Sequence, residues 1–331
     1  SLYELANEDG LISSFSERID DAYMEKIGFK NPKERLRDIA DWPPAQKDTG
    51  WKLATAEGER DGHDMRPINT VVNCFFYENM RIMTKLASAL GKASDALYFR
   101  TLSEQTKSTI NASLFDPERG VYIDGIGSSH ASLHSNMLPL AFDLVPGVHK
   151  PSVVAYVKSR GMACSVYGAQ YLLEGLFKAG AANYALDLMT ATEGDRNWWN
   201  MLRSGSTMTL EAWDMRYKPN LDWNHAWGTA PLNIIPRYLW GITPASPGFE
   251  QVRIQPQMGD LNSSAIKVPT IKGPIEAKFE KLEKTARFTI TLPTDVSGNF
   301  IVPNNTFDLF LNGEIQTIGT SIPLFKGVNI I

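Results

Sequence analysis

The apolar residues of this chain change period near Thr243, and that switch constrains the fold more than any other feature. Up to about residue 245 they recur at helical spacing in stretch after stretch. FSERIDDAYMEKIGF (15–29) predicts one helix. PINTVVNCFFYENMRIMTKLASALG (67–91) predicts a long amphipathic one, stopped at Gly91. Ser94 is placed to cap the next helix, with Asp95 suited to its dipole. HSNMLPLAFDLV, KPSVVAYVKSRG, SVYGAQYLLEGLFKAG and AANYALDLMTATEG follow, most of them separated by short Gly- or Pro-bearing connectors. The loop from Arg37 to Arg66 is the exception, too long for a plain connector and rich in Trp, Pro, Gly and Asp; such loops are usually functional. Beyond Thr243 come prolines without helical period and then short alternating runs, SAIKVPTI, PIEAKFEKL, ARFTITLP, GNFIVP, FDLFLNG and EIQTIG, bounded by Gly, Pro or Asn. The expectation is a helical domain over 1–243 and a small antiparallel β-sandwich over 244–331. No self-similarity at a fixed period is present, which argues against a solenoid of helix pairs and suits a closed helical toroid.

Composition narrows the function classes. Lys+Arg is 33 against Asp+Glu 37, a formal charge of −4, which gives no electrostatic reason to expect a nucleic-acid partner, since such partners normally meet a basic face. No apolar run is long enough to span a membrane. The start, SLYELANEDG, has neither the basic opening nor the apolar centre of a signal peptide and no initiator Met. The compartment stays open between periplasmic, secreted and cytoplasmic. Cys74 and Cys164 sit in apolar helix-like runs and read as buried thiols. No CxxC, zinc spacing, phosphate-binding loop or dinucleotide fingerprint occurs, so no metal and no cofactor is expected.

The densest chemistry lies in DRNWWNMLRSGSTMTLEAWDMRYKPNLDWNHAWGTAPLNIIPRYLW (195–240), which holds six of the eight tryptophans. Gly205 to Thr209 reads as a turn into a helix start, with Glu211 close behind. A carboxylate there is held ionised by the dipole and suits a general base; equally, Glu211 could be the acidic member of a capping box. His225, beside Asn224 and Trp227, could donate to a sugar hydroxyl while an indole covers the ring, or be a core histidine. Asp41-Trp42 offers a carboxylate and an aromatic platform, or a turn ahead of Pro43 and Pro44. His134 could cap a helix or donate into a pocket. Asp124, before Gly125, reads as a turn residue. His63 and His149 read as loop histidines without a role. Carboxylates and aromatics together are the toolkit of glycoside hydrolysis.

On GSTMTLEAWD followed by NHAWGTAPLNIIPRYLWGITPASPGFEQVRIQPQ, the chain resembles the bacterial α-L-rhamnosidases of glycoside hydrolase family 78. The family's Gly-(Ala/Ser)-Thr-Thr run leading to Glu-x-Trp stands here as Gly205-Ser206-Thr207-Met208-Thr209-Leu210-Glu211-Ala212-Trp213, with Met in place of one Thr. Asn224-His225 matches its substrate-contacting Asn-His element. Gly241 to Phe249 matches its linker into a C-terminal β-sandwich, and RDIADWPP and RGMACSVYGAQYLLEGLF look like parts of its six-hairpin domain. The resemblance implies an (α/α)6 toroid and inverting removal of terminal α-L-rhamnose from glycosides or polysaccharides. Glu211 would be the base, with Asp41, Trp42, His134, Trp213 and His225 binding substrate.

The family's general acid lies in an arginine- and acid-rich loop with no match here. KERLRD (33–38) resembles it only superficially, and Glu34, Asp38 and Asp41 are the fallback candidates. About eight or nine helices are readable where the toroid has twelve. Both features imply a catalytic domain incomplete at its N-terminal side, whose partner is the preceding part of the same polypeptide. The alternatives are another inverting exo-glycosidase on the same toroid, or a non-catalytic carbohydrate-binding protein.

Overall fold

Helix ends in this chain are decided by side chains that compete for the backbone. In the computed structural model, which describes residues 2–31, 38–46, 52, 53, 56, 58–302, 308–316 and 321–331, the first α-helix, α1, covers only Asp21–Lys26. Its N-cap is Asp20, whose carboxylate accepts from Tyr23 N. The longer helix expected from residue 15 is absent because Ser13 and Ser16 hydroxyls accept from Phe15 N and Arg18 N, closing local turns instead. Helix α2 (Thr70–Ala89) starts at Asn69, whose side chain accepts from Val72 N, and gives way at Gly91 with φ +70°. Helix α3 (Ala93–Ser113) begins two residues earlier than a Ser94 cap would place it, and Lys92 at the N-cap position makes no side-chain cap. Asp95 does sit in its first turn.

Two compact units are present. One comprises Ser1–Ala179 and Thr190–Gly228, the other Gly180–Met189 and Thr229–Ile331. In the first, α2 and α3 form a hairpin whose inner face joins Leu5, Ile12, Ile19, Tyr23 and Met24 in one apolar cluster. A short hairpin, β1 (Phe115–Asp116) with β2 (Val121–Tyr122), leads to α4 (Leu133–Ala141). Every residue of α4 is buried. Helix α5 (Lys150–Arg160) and helix α6 (Ala169–Lys178) pack against it. The approach of α6 is close: a Cβ on Gly175 would stand 3.0 Å from Leu140 Cβ and 3.1 Å from Met137 O. Helix α8 (Trp198–Arg203), capped by Asn197, closes the helical part of this unit.

The second unit contains most of α7 (Ala182–Thr190), then α9 (Ala230–Ile234) and a π-helical turn over Ile235–Leu239. Ten strands follow. One four-stranded sheet joins β3 (Ile242–Pro244), β4 (Gln251–Ile254), β8 (Ser297–Ile301) and β11 (Ser321–Leu324) in the order β11-β8-β4-β3. Its pairs are antiparallel except β4 with β8, which run parallel. The other joins β5 (Ser263–Val268), β6 (Ile275–Lys281), β7 (Ala286–Leu292) and β12 (Gly327–Ile330) in the order β12-β7-β6-β5, antiparallel throughout. A separate hairpin pairs β9 (Leu309–Leu311) with β10 (Glu314–Gln316). Phe288 of one sheet meets Phe300 of the other at 5.1 Å between ring centres, and alternate residues of β4 and β6 face this core.

Candidate active site

No helix occupies the segment between Arg203 and His225. The helix start expected at Gly205 to Thr209 is absent because this stretch folds back and bonds to itself. Glu211 N donates to Asp222 O, His225 N donates to Thr209 O, and the Thr209 hydroxyl donates to His225 O. Glu211 therefore lies at no helix N-terminus and closes no capping box. Its ionisation has another source. Oε2 accepts from Lys218 Nζ at 2.7 Å and from Asp222 N at 3.0 Å; Oε1 accepts from Trp42 Nε1 at 3.2 Å. Burial pushes this carboxyl upward, but the donors outweigh it, Lys218 foremost, and hold it below its ordinary range. The residue is only 7 % exposed.

Aromatic rings flank the carboxylate. Trp227 Nε1 donates to Glu211 O at 3.0 Å. The His225 ring stacks on Trp227, with centres 4.1 Å apart and planes 26° apart, and Tyr167 also lies against that indole, at 5.5 Å between ring centres. His225 is half-buried and is not a core histidine in an apolar setting. Trp42, also half-buried, reaches the group from the distant loop.

Asp41 is what places Trp42. Its Oδ2 accepts from Ser165 N at 2.8 Å and lies 2.7 Å from His134 Nε2; its Oδ1 accepts from Ser165 Oγ and from Trp42 N at 2.9 Å. A carboxylate only accepts, so His134 carries its proton on Nε2. Burial raises the Asp41 carboxyl, and the bonds from His134 and Ser165 more than offset this, leaving it lowered.

Asp41, His134 and Trp213, expected to bind substrate, are all buried. Asp41 is 4 % exposed, and His134 and Trp213 are fully enclosed. Nor does His134 cap a helix; Ser132 caps α4. Trp213 donates its indole N–H to Cys164 O and its backbone N–H to Glu59 Oε2, and meets Trp198 edge-on. The indole is a wedge that anchors the Glu211 loop. Burial pushes the Glu59 carboxyl well above the usual range, and its Oε1 has no partner among the described residues. Neither carboxyl suits an exposed general acid, one being lowered and the other sealed. Asp38 is raised by burial and bonds Asn69, and Glu34 lies outside the described residues.

Asp124 is no simple turn residue. It is buried, accepts from Asp64 N, Ser132 N and Ser135 Oγ, and lies 2.6 Å from His130 Nδ1. His63, read as an idle loop residue, is enclosed between Ser132 Oγ and this carboxylate, and His149 packs on Phe115. Cys74 and Cys164 are buried and free. Among the described residues no group of His, Cys, Asp and Glu could hold a metal, and no helix is long and apolar enough to cross a membrane. The functional groups that the sequence did not single out are Lys218, Glu59 and Ser165. Only folding carries them to Glu211, Trp213 and Asp41.

A mainly helical domain that gathers an ionised carboxylate, indoles and a stacked histidine, followed by β-sheets, defines a helical glycoside hydrolase class. The family profile of the bacterial alpha-L-rhamnosidase 6 hairpin glycosidase domain matches residues 2–239, and that of the bacterial alpha-L-rhamnosidase C-terminal domain matches residues 241–310. The chain belongs to the bacterial α-L-rhamnosidase family. Among solved structures it is similar to an alpha-L-rhamnosidase from Dictyoglumus thermophilum, with 20 % identity and a TM-score of 0.69 over 86 % of this chain and 35 % of that one. Similar too are a Streptomyces avermitilis alpha-L-rhamnosidase complexed with L-rhamnose (18 %, TM-score 0.65, 94 % of this chain and 29 % of that one) and a GH78 family rhamnosidase of Bacillus sp. GL1 (22 %, TM-score 0.65, 91 % and 29 %). The chain spans about a third of the length of these structures. A comparison with curated proteins finds no match.

Proposed function

We propose that this chain carries the general base and part of the sugar pocket of an inverting α-L-rhamnosidase. The observation that carries the reading is the Glu211 carboxylate, kept ionised and fixed by Lys218, Asp222 N and Trp42 beside the His225–Trp227 stack. In an inverting reaction such a base deprotonates a water on one face of the sugar while an acid protonates the leaving oxygen on the other, the two carboxyls being roughly 6.5 to 9.5 Å apart. Glu211 takes the base role, and polypeptide outside these 331 residues supplies the acid. Trp42, with its indole N–H on the base, and His225 contact the rhamnosyl ring. Asp41, His134 and Trp213 position them from behind. The L-rhamnose bound in the Streptomyces avermitilis relative supports the choice of sugar.

The test is hydrolysis of p-nitrophenyl α-L-rhamnoside by the full polypeptide that contains this chain. Glu211→Gln is expected to lower kcat by about 10² to 10⁴ while the fold is kept. Proton NMR of the first product is expected to show the β anomer. Near-full activity of the variant, or release of the α anomer first, would overturn the assignment.

A further inference from the structure

We propose that Lys218 is the positioning residue of the base: its ammonium takes Glu211 Oε2 out of play and leaves Oε1 as the oxygen that receives the proton from water. The inference rests on the reading of Glu211 as the base. Lys218 is enclosed, at 6 % exposure, on the same folded-back loop as Glu211. Its Nζ donates to Glu211 Oε2 at 2.7 Å and to Asn220 O at 3.1 Å. An ammonium is strongly disfavoured away from water unless a carboxylate compensates it. The sequence places a lysine in that position all the same, with the carboxylate of the proposed base as its counter-ion.

The two oxygens of Glu211 are thereby made unequal. Oε2 faces the charged Nζ at 2.7 Å and the Asp222 amide at 3.0 Å, whereas Oε1 faces the neutral indole N–H of Trp42 at 3.2 Å. A charge-assisted bond is shorter and stronger than a neutral one. The more basic lone pair is therefore on Oε1, on the side where Trp42 lies. Other titratable groups on the surrounding segments are turned elsewhere: Asp41 to His134 and Ser165, Glu59 to Trp213 N, and the His225 ring to Trp227. Lys218 thus sets an ammonium directly against the base. A contact of this kind favours the ionised carboxylate, and Glu211 is held below its ordinary range. Glu211 would stay ionised under mildly acidic conditions in which an unassisted buried glutamate takes a proton.

Lys218→Met tests this directly. The Glu211 carboxyl is followed by carbon NMR in the chain labelled at the Glu side-chain carboxyl, its resonance assigned by its loss in Glu211→Gln. Its titration is expected to move up by about one pH unit or more in Lys218→Met, and to stay near the wild-type position in Lys218→Arg. In the full polypeptide, the acid limb of the kcat profile on p-nitrophenyl α-L-rhamnoside should move with it. At low pH kcat should fall about tenfold while KM changes less than about twofold. Should Lys218→Met fail to fold, Lys218→Gln, which keeps a donor without the charge, is expected to show the same displacement. An unchanged Glu211 titration in a folded uncharged variant would overturn the proposal. Hydrolysis surviving Glu211→Gln would instead overturn the role of Glu211 as base, and the NMR titration would still decide whether Lys218 sets its ionisation.

Discussion

Asp41 orders three segments of the chain from a buried position. Buried and ionised, it takes hydrogen bonds from His134, from Ser165 and from the backbone of Trp42. Asp41→Asn turns an acceptor into a partial donor facing the Ser165 N–H and hydroxyl. The expected loss is about 1 to 3 kcal/mol, the scale for leaving buried hydrogen-bonding groups unsatisfied, read from urea denaturation. Substrate affinity should fall as well, since Trp42 loses its anchor; unchanged stability would show that the Asp41 bonds hold nothing. Trp42→Ala removes both the donor to Glu211 Oε1 and an aromatic face. It should weaken L-rhamnose binding by about 1 kcal/mol or more, measured by calorimetry, with little change in unfolding.

At the scale of elements, the packing of α6 on α4 sets where Ser165 and Cys164 stand, because both residues lie just before α6 and bond to Asp41 and Trp213. Gly175 allows that packing, and an added Cβ would stand 3.0 to 3.1 Å from Leu140 and the α4 backbone, tighter than van der Waals contact. Gly175→Ala is expected to cost about 1 to 3 kcal/mol through overpacking, visible as a lower denaturation midpoint. The same displacement should disturb the site, so kcat should drop further than the stability loss alone explains. The folded-back loop from Thr209 to His225 is the other decisive element. Its ladder-like bonds bring Lys218, Asp222 and His225 around Glu211, which a helix starting there would have strung along its axis.

For the whole molecule, buried carboxyls of opposite character shape stability against pH. Asp41 and Asp124 are both lowered in the fold: burial raises them, but hydrogen bonds from His134 and Ser165 in one case and from His63 and neighbouring donors in the other prevail. A lowered carboxyl contributes stability that is complete above the unfolded value, about 4 for aspartate, and is lost as pH falls through the folded value. Acid unfolding should therefore set in below about pH 4 and occur at higher pH in Asp124→Asn. Glu59 has the opposite sign. Raised by burial above all, it contributes fully below its unfolded value and loses that contribution as pH rises through its folded value. Glu59→Gln removes this loss, so in thermal melts the variant should gain on wild type over the pH range that opens above the unfolded glutamate value, about 4. A constant difference across that range would mean that Glu59 is ionised throughout.

The order of helices, the change to strands near Thr243 and the Gly91 stop were legible in the sequence because they depend on periodicity and on local backbone chemistry, which neighbouring residues settle among themselves. The Glu211 to Phe249 stretch was legible as a family motif for a different reason, its residue types and spacing. Local signals misled where a competing partner lay nearby: Ser13 and Ser16 drew the backbone into turns, and Ser94 fell inside its helix rather than at its cap. What only the tertiary structure decided is which charges face each other. The sequence suggested a dipole for Glu211, but the fold supplies an ammonium, an amide and an indole, the last from 169 positions away. It likewise buries Trp213, Asp41 and His134 behind the site rather than at its surface. Burial and long-range pairing depend on how segments close over one another, and no period or spacing along a chain records that.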